Sequence, residues 1–176
     1  MHLKSLNGCR LRIGEYPHFD YDARGGGGEA LENATSDMNI IKLKFSSKTF
    51  SIPALTSNTT KFLKIPLPIG LEIKMLMEKL QGTLNKKTGE IILEFEAKFV
   101  FKVLSIVKFP ALLVKTSLET GSVQTVLNQA KGLCLQKNGK ARLVGIALIP
   151  KTGNKILDLF LGLPNEALAV LECELT

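Results

Sequence analysis

The side chains that could do chemistry are few and far apart. There are two histidines, His2 near the start and His18 in Tyr16-Pro17-His18-Phe19-Asp20-Tyr21-Asp22. His18, Asp20 and Asp22 offer nitrogen and oxygen donors at close spacing, but no second histidine lies nearby. A transition-metal site needs a fuller donor set, so no metal is expected and these are read as polar loop side chains. Histidine acid–base catalysis would rest on His18 alone. The three cysteines, Cys9, Cys134 and Cys173, are widely spaced and form no C-x-x-C pair. That excludes a zinc knuckle or a thioredoxin-type site. Cys173 is flanked by Glu172 and Glu174, carboxylates that would raise a thiol pKa if they lie near it. The cysteines therefore read as buried or spare thiols, which suits a reducing, cytoplasmic setting.

Other chemistries also lack parts. Gly25-Gly26-Gly27-Gly28 has no Lys-Ser/Thr after it, so it is not a phosphate loop. No G-x-S-x-G or H-E-x-x-H string is present. Carboxylates remain. Glu72, Glu78 or Glu94 inside a barrel would permit glycosidase-like or isomerase-like chemistry, but alternation puts Glu94 and Glu96 on a charged face beside Lys98. Tyr16, Phe19, Tyr21 and Arg24 have the makings of a stacking platform for single-stranded nucleic acid. Asp20 and Asp22 in the same stretch repel phosphates. No cofactor is implied.

The elements that must position these residues read as strands. Cys9, Leu11 and Ile13 alternate with Arg10 and Arg12 behind Asn7-Gly8, a favoured hairpin turn. Ile41, Leu43 and Phe45 alternate with Lys42 and Lys44. Leu71, Ile73, Met75 and Met77 continue the pattern, and Asn85–Gly89 is the turn into the strongest alternation, Leu93 to Val103. That hairpin, Leu80–Asn85 to Phe95, has the general look of calycin-like barrels, a fold-level likeness that implies no function. Ala111–Glu119, Lys140–Ile149 after the turn Asn138-Gly139, and Ala167–Leu175 complete the strands. Lys155–Gly162 has helical spacing, with Asn154 as its cap. Val123–Ala130 reads as a short helix or irregular chain. Residues 16–37 lack periodicity and read as a flexible Gly-rich loop. The expected fold is mainly β, an antiparallel barrel of calycin-like kind or a β-sandwich, with about nine strands, one or two short helices and a single domain over residues 1–176.

Charge and hydropathy sharpen the functional expectation. The chain has 176 residues, 45% hydrophobic and 22% charged, with formal net charge +7. Residues 38–71 hold 5 basic and no acidic groups, and residues 97–155 hold 10 basic and 1 acidic. Both flanks are acidic, so a positive face is expected, with Lys98, Lys102, Lys108, Lys115, Lys140 and Arg142 as candidates for meeting an anionic surface. Arginine occurs at only four positions. The bias to lysine argues against sequence-specific nucleic-acid readout. Inside, Phe45, Met75, Met77, Phe95, Phe99, Phe101 and Phe160 are candidate walls of an apolar ligand cavity, because Met and Phe form adaptable apolar walls. The same residues also suit a fully packed core. Phe99–Val114 is the most apolar stretch, but Lys102, Lys108 and Pro110 exclude a membrane-spanning helix. No apolar run follows Met1–Gly8, so no secretory signal is expected. The leading expectation is a non-enzymatic protein that binds an apolar small molecule or an anionic surface. A small-barrel enzyme using buried carboxylates, and a nucleic-acid or protein scaffold, are the alternatives. A homodimer through free sheet edges is compatible with all three.

Overall fold

The computed structural model describes residues 1–104 and 106–176. In chain order the first half holds β1 (His2–Ser5), β2 (Cys9–Ile13), β3 (Phe19–Tyr21), β4 (Gly27–Ala34), β5 (Ile40–Phe45), β6 (Thr60–Phe62), β7 (Ile65–Pro66) and β8 (Leu71–Asn85). The second half holds β9 (Ile91–Val103), β10 (Val107–Lys108), β11 (Leu112–Glu119), β12 (Ser122–Gln124), β13 (Gln129–Lys131), β14 (Lys140–Ile149), the helix α1 (Lys155–Leu161) and β15 (Asn165–Leu175). Strands β1, β4, β5, β8, β9, β11, β14 and β15 are hydrogen-bonded in that order, and β15 returns to β1, so eight strands close a ring. The pairings are antiparallel, as expected of a chain joined largely by hairpins. The fold is the mainly β, barrel-type solution.

The ring is uneven because its longest strands change partners. Along β15, Cys173 and Leu175 face β1, while Ala167–Val170 face β2. Along β8, Gln81–Asn85 pair with β5. Its first half pairs with β9 on one side and meets only a bridge from Leu55 to Ile73 on the other, among the described residues. One end of the ring is therefore sealed. At the other end β2, β3, β6 and β7 peel away from β15 as a flap. The helix α1 lies beside the inner face of this open end, where Leu157 and Leu161 pack with Phe99, Phe101 and Phe109. Asn154 caps it as expected, its Oδ1 accepting from the Leu157 amide at 3.0 Å.

Several expectations need correction. Asn7-Gly8 does not reverse the chain. β1 and β2 both run along β15, and the register steps by two residues between them. Gly8, at φ +79°, makes the kink of a bulge rather than a hairpin turn. Residues 16–37 are not one loop, because they contain β3 and β4. The glycines are there for close approach: a Cβ on Gly27 would stand 1.9 Å from the Leu3 carbonyl oxygen, so only glycine allows β4 to lie against β1. Val123–Ala130 falls in the hairpin of β12 and β13, not in a helix. It covers the outer face of β14 and β15, where Val123 and Ala130 pack on Val144, Leu168 and Val170. That cover explains why β14 is apolar on both faces. Fifteen strands are present among the described residues, eight of them in the ring, and the others are mostly short flap and edge pieces that escape a periodicity reading. A single helix is present among the described residues. The apolar stretch Phe99–Val114 becomes the end of β9, β10 and the start of β11, with position 105 outside the described residues. No helix of the described residues is long and apolar enough to cross a membrane.

Candidate functional site

The two ends of the ring have different interiors. At the sealed end Leu43, Leu84, Ile91, Leu93 and Leu143 are no more than 1% exposed and form one packed cluster. At the open end lies an apolar cavity of about 890 Å³. Alternation along β9 turns Phe95, Phe99 and Phe101 into it, and β8 adds Leu71 and Ile73. From the flap come Leu11, Ile13, Phe19 and Phe62, and from α1 come Ile156, Leu157, Phe160 and Leu161.

Small residues on β14 and β15 make the space. Gly145 faces Ala169 and Ala147 faces Ala167 across the two strands, and all four line the cavity. Further along the same strands, toward the sealed end, Leu143 faces Leu171. The interior is thus filled where the cross-strand pair is large and left open where it is small.

The polar groups at the wall are already engaged. Thr116 Oγ1 donates to the Ile146 carbonyl at 2.8 Å. Arg12 Nε donates to the Tyr16 carbonyl and its Nη1 to that of Leu127, each at 2.9 Å, so its guanidinium is anchored on backbone. Tyr16 Oη donates to the Phe160 carbonyl at 2.6 Å, tying the flap side of the mouth to α1. The Tyr16 ring lies 5.9 Å from that of Phe160 and 6.3 Å from that of Phe62. Among the described residues no buried side-chain nitrogen or oxygen lacks a partner. The wall thus presents apolar surface and shape, with few free hydrogen-bonding groups.

Of the seven cavity candidates, Phe95, Phe99, Phe101 and Phe160 line it. Phe45, Met75 and Met77 do not. They are buried in solid core, Phe45 against Phe50 with ring centroids 5.4 Å apart. Met75 and Met77 face inward but sit among Ile52, Leu55 and Leu80, which fill the space there. The small-residue pattern Gly145-x-Ala147 and Ala167-x-Ala169 is the signal that sequence reasoning passed over.

The expected positive face is broken up by carboxylates. Lys98 pairs with Glu78, Lys115 with Glu96 at 2.9 Å and Arg142 with Glu172 at 2.5 Å. Glu94 is held by Lys79 at 2.6 Å, and Glu72 lies 3.8 Å from Lys74. The glutamates considered for catalysis therefore stand in ion pairs and none lines the cavity. Lys102, Lys108 and Lys140 are in no ion pair among the described residues.

Asp20 faces Arg10 and Lys61 across the flap, and Asp22 holds Arg24 at 2.6 Å. His18 lines a second, polar cleft of about 380 Å³ with Arg10, Lys131 and Arg142. Partial burial, then Arg10 and Arg12, push its pKa down. Burial pushes the Cys9 thiol up to about 11 and the Cys173 thiol up to about 12. Neither is a ready thiolate. Burial also raises Tyr21, whose hydroxyl donates to the Pro53 carbonyl.

No family model, no curated protein and no solved structure matches this chain.

Proposed function

We propose that this protein is a non-enzymatic binding protein that takes an apolar, lipid-like molecule into the open end of its β-ring. The observation that carries the reading is the apolar cavity of about 890 Å³, whose polar wall groups are spent on the protein's own backbone. Its volume falls toward the upper part of the ~300–1,000 Å³ typical of small-molecule sites.

Energetics supports an occupant. An apolar void left dry forfeits the packing contacts of the side chains that line it. Water entering through the mouth would find few free polar partners, and a buried water needs about three. An apolar molecule removes both costs and gains by the area it shields, at roughly 25 cal/mol per Å².

Native mass spectrometry of gently purified protein tests the reading. The expected spectrum shows one apolar adduct per chain that is lost on denaturation. A chain that stays at its bare mass, also after incubation with a saturated sixteen-carbon fatty acid, would sink it.

A further inference from the structure

The rim of the cavity has a composition that the cavity itself does not require. Three segments form it. The first, residues 61–70, exposes Leu63 and Ile69, the latter 90% exposed. The second, the turn after β9, exposes Leu104 and Ile106, the latter 82% exposed. These two are tied together, because the Leu104 amide donates to the Gly70 carbonyl at 2.8 Å. The third is α1, which exposes Ile156 and Leu159, the latter 85% exposed. Leu63 and Ile156 line the cavity itself, and Ile69, Leu104, Ile106 and Leu159 stand beside the lining residues Pro68, Val103 and Phe160 of the same segments. Single exposed aliphatics are ordinary, but six in the segments that frame one opening call for a partner.

Charge identifies the partner. Residues 61–70, 104–110 and 150–162 together hold five lysines, Lys61, Lys64, Lys108, Lys151 and Lys155, and one acid, Asp158. All five lysines are exposed and none is in an ion pair among the described residues. Asp158 is turned into its own turn: Oδ1 accepts from the Thr152 amide and hydroxyl, each at 2.7 Å, and Oδ2 from the Gly153 amide at 3.2 Å. The rim thus offers apolar tips set among unpaired ammonium groups. On the walls of the ring, by contrast, Lys79, Lys98 and Lys115 are paired with Glu94, Glu78 and Glu96. Leu63, Lys64 and Leu104 also hold positive φ, of 50°, 67° and 50°. Such conformations disfavour residues other than glycine and persist where the local geometry is used.

We infer that this rim docks on an anionic lipid bilayer, with Leu63, Ile69, Leu104, Ile106, Ile156 and Leu159 entering the headgroup region and the lysines facing acidic headgroups. The mouth then opens onto the membrane, and the apolar ligand passes between bilayer and cavity without crossing water. The inference rests on the cavity reading for the passage of ligand, but docking is measured independently of it. Apolar insertion and lysine attraction reinforce each other at a bilayer surface.

The chain has no tryptophan, so one introduced tryptophan is a clean reporter. L159W and, at the sealed end, L31W are mixed with vesicles of phosphatidylcholine alone or with one-quarter phosphatidylserine. A blue shift and quenching by brominated lipid are expected for L159W on the anionic vesicles only, and none for L31W. The triple variant K64E/K108E/K155E should lower vesicle affinity at least ~100-fold, since each lysine near such a surface is worth roughly fivefold. Uptake of a fluorescent fatty acid delivered in solution should be unchanged, which also shows that the variant is folded.

Failure of either idea is distinguishable. If the fatty acid binds but L159W ignores both vesicles, the docking inference is overturned and the cavity reading stands. If vesicles bind but the fatty acid does not, the cavity reading falls and docking remains. Equal binding to both vesicle types overturns the role of the lysines. A concentration-dependent dimer abolished by L159D, with no vesicle binding, means that a second copy covers the rim and overturns the inference.

Discussion

The sealed and the open end of the ring are built from the same strands and the same inward alternation, yet one is solid and the other hollow. On β14 and β15 the change occurs within one step, from Leu143 opposite Leu171 to Gly145 opposite Ala169. Beyond that point β2 replaces β1 as the neighbour of β15, and the flap swings away from β8. Strand pairing provides the wall in both regions. Side-chain volume decides whether the wall encloses a core or a container.

Substitutions at the two ends should therefore behave differently. The largest effect is expected for L143A or L93A, each removing a side chain with 0% exposure from the packed cluster. Loss of about 2–5 kcal/mol is expected in urea unfolding, from lost transfer energy and the cavity left behind. A loss below about 1 kcal/mol would mean that the sealed end is not packed as described.

The sharper contrast adds volume instead of removing it. A141F at the sealed end should cost about 1–3 kcal/mol or more, because a filled core must strain to admit a ring. A167F, two inward-facing pairs beyond the Leu143–Leu171 pair, enters the cavity and should cost less than about 1 kcal/mol while abolishing fatty-acid uptake. Equal costs at the two positions would erase the distinction between solid and hollow ends.

Thiol titration gives a third, smaller effect. Cys173 lies in the sealed core and Cys9 on the flap strand β2, packed with Tyr21 and Leu55, and burial raises both thiols above their ordinary value near 9. The folded state keeps these protons when the unfolded chain has lost them. Stability from this source is complete below pH 9 and falls as pH rises toward 11 for Cys9 and 12 for Cys173. The slope is about 1.4 kcal/mol per pH unit for each thiol in that window. Urea midpoints between pH 8 and 10.5 should show it, and C9S and C173A should each flatten the curve. The smallest effect is expected on the outer wall. K115A breaks the surface pair with Glu96 and should leave the urea midpoint almost unchanged.

The strands of the ring were legible in the sequence because one face of each meets the interior and the other meets water. The alternation of Leu93, Phe95, Ala97 and Phe99 with charged residues is the clearest case. The closing role of β15 and the Asn154 cap of α1 were legible for similar local reasons. The Asn7-Gly8 bulge was not, because the same dipeptide serves a hairpin or a kink, and only the distant partner β15 decides between them. Residues 16–37 hid β4 because glycines that permit close strand approach look locally like glycines of a free loop. At the site, the aromatic wall of β9 was legible. Exclusion of Phe45, Met75 and Met77 was not, because an inward direction does not say whether Ile52, Leu55 or Phe50 already occupies the space. The ion pairs that divide the positive face join residues brought together by strand register, which composition alone does not contain.

We propose the open end as a container for one apolar molecule. Its most direct test is titration of the intact protein and of A167F with a fluorescent polyene fatty acid, followed by emission from the probe. The wild-type chain should show one saturable site, with probe emission rising as it leaves water, and A167F should show none while keeping the wild-type circular dichroism spectrum. No saturable site in the wild type, or equal binding by the two proteins, would contradict it.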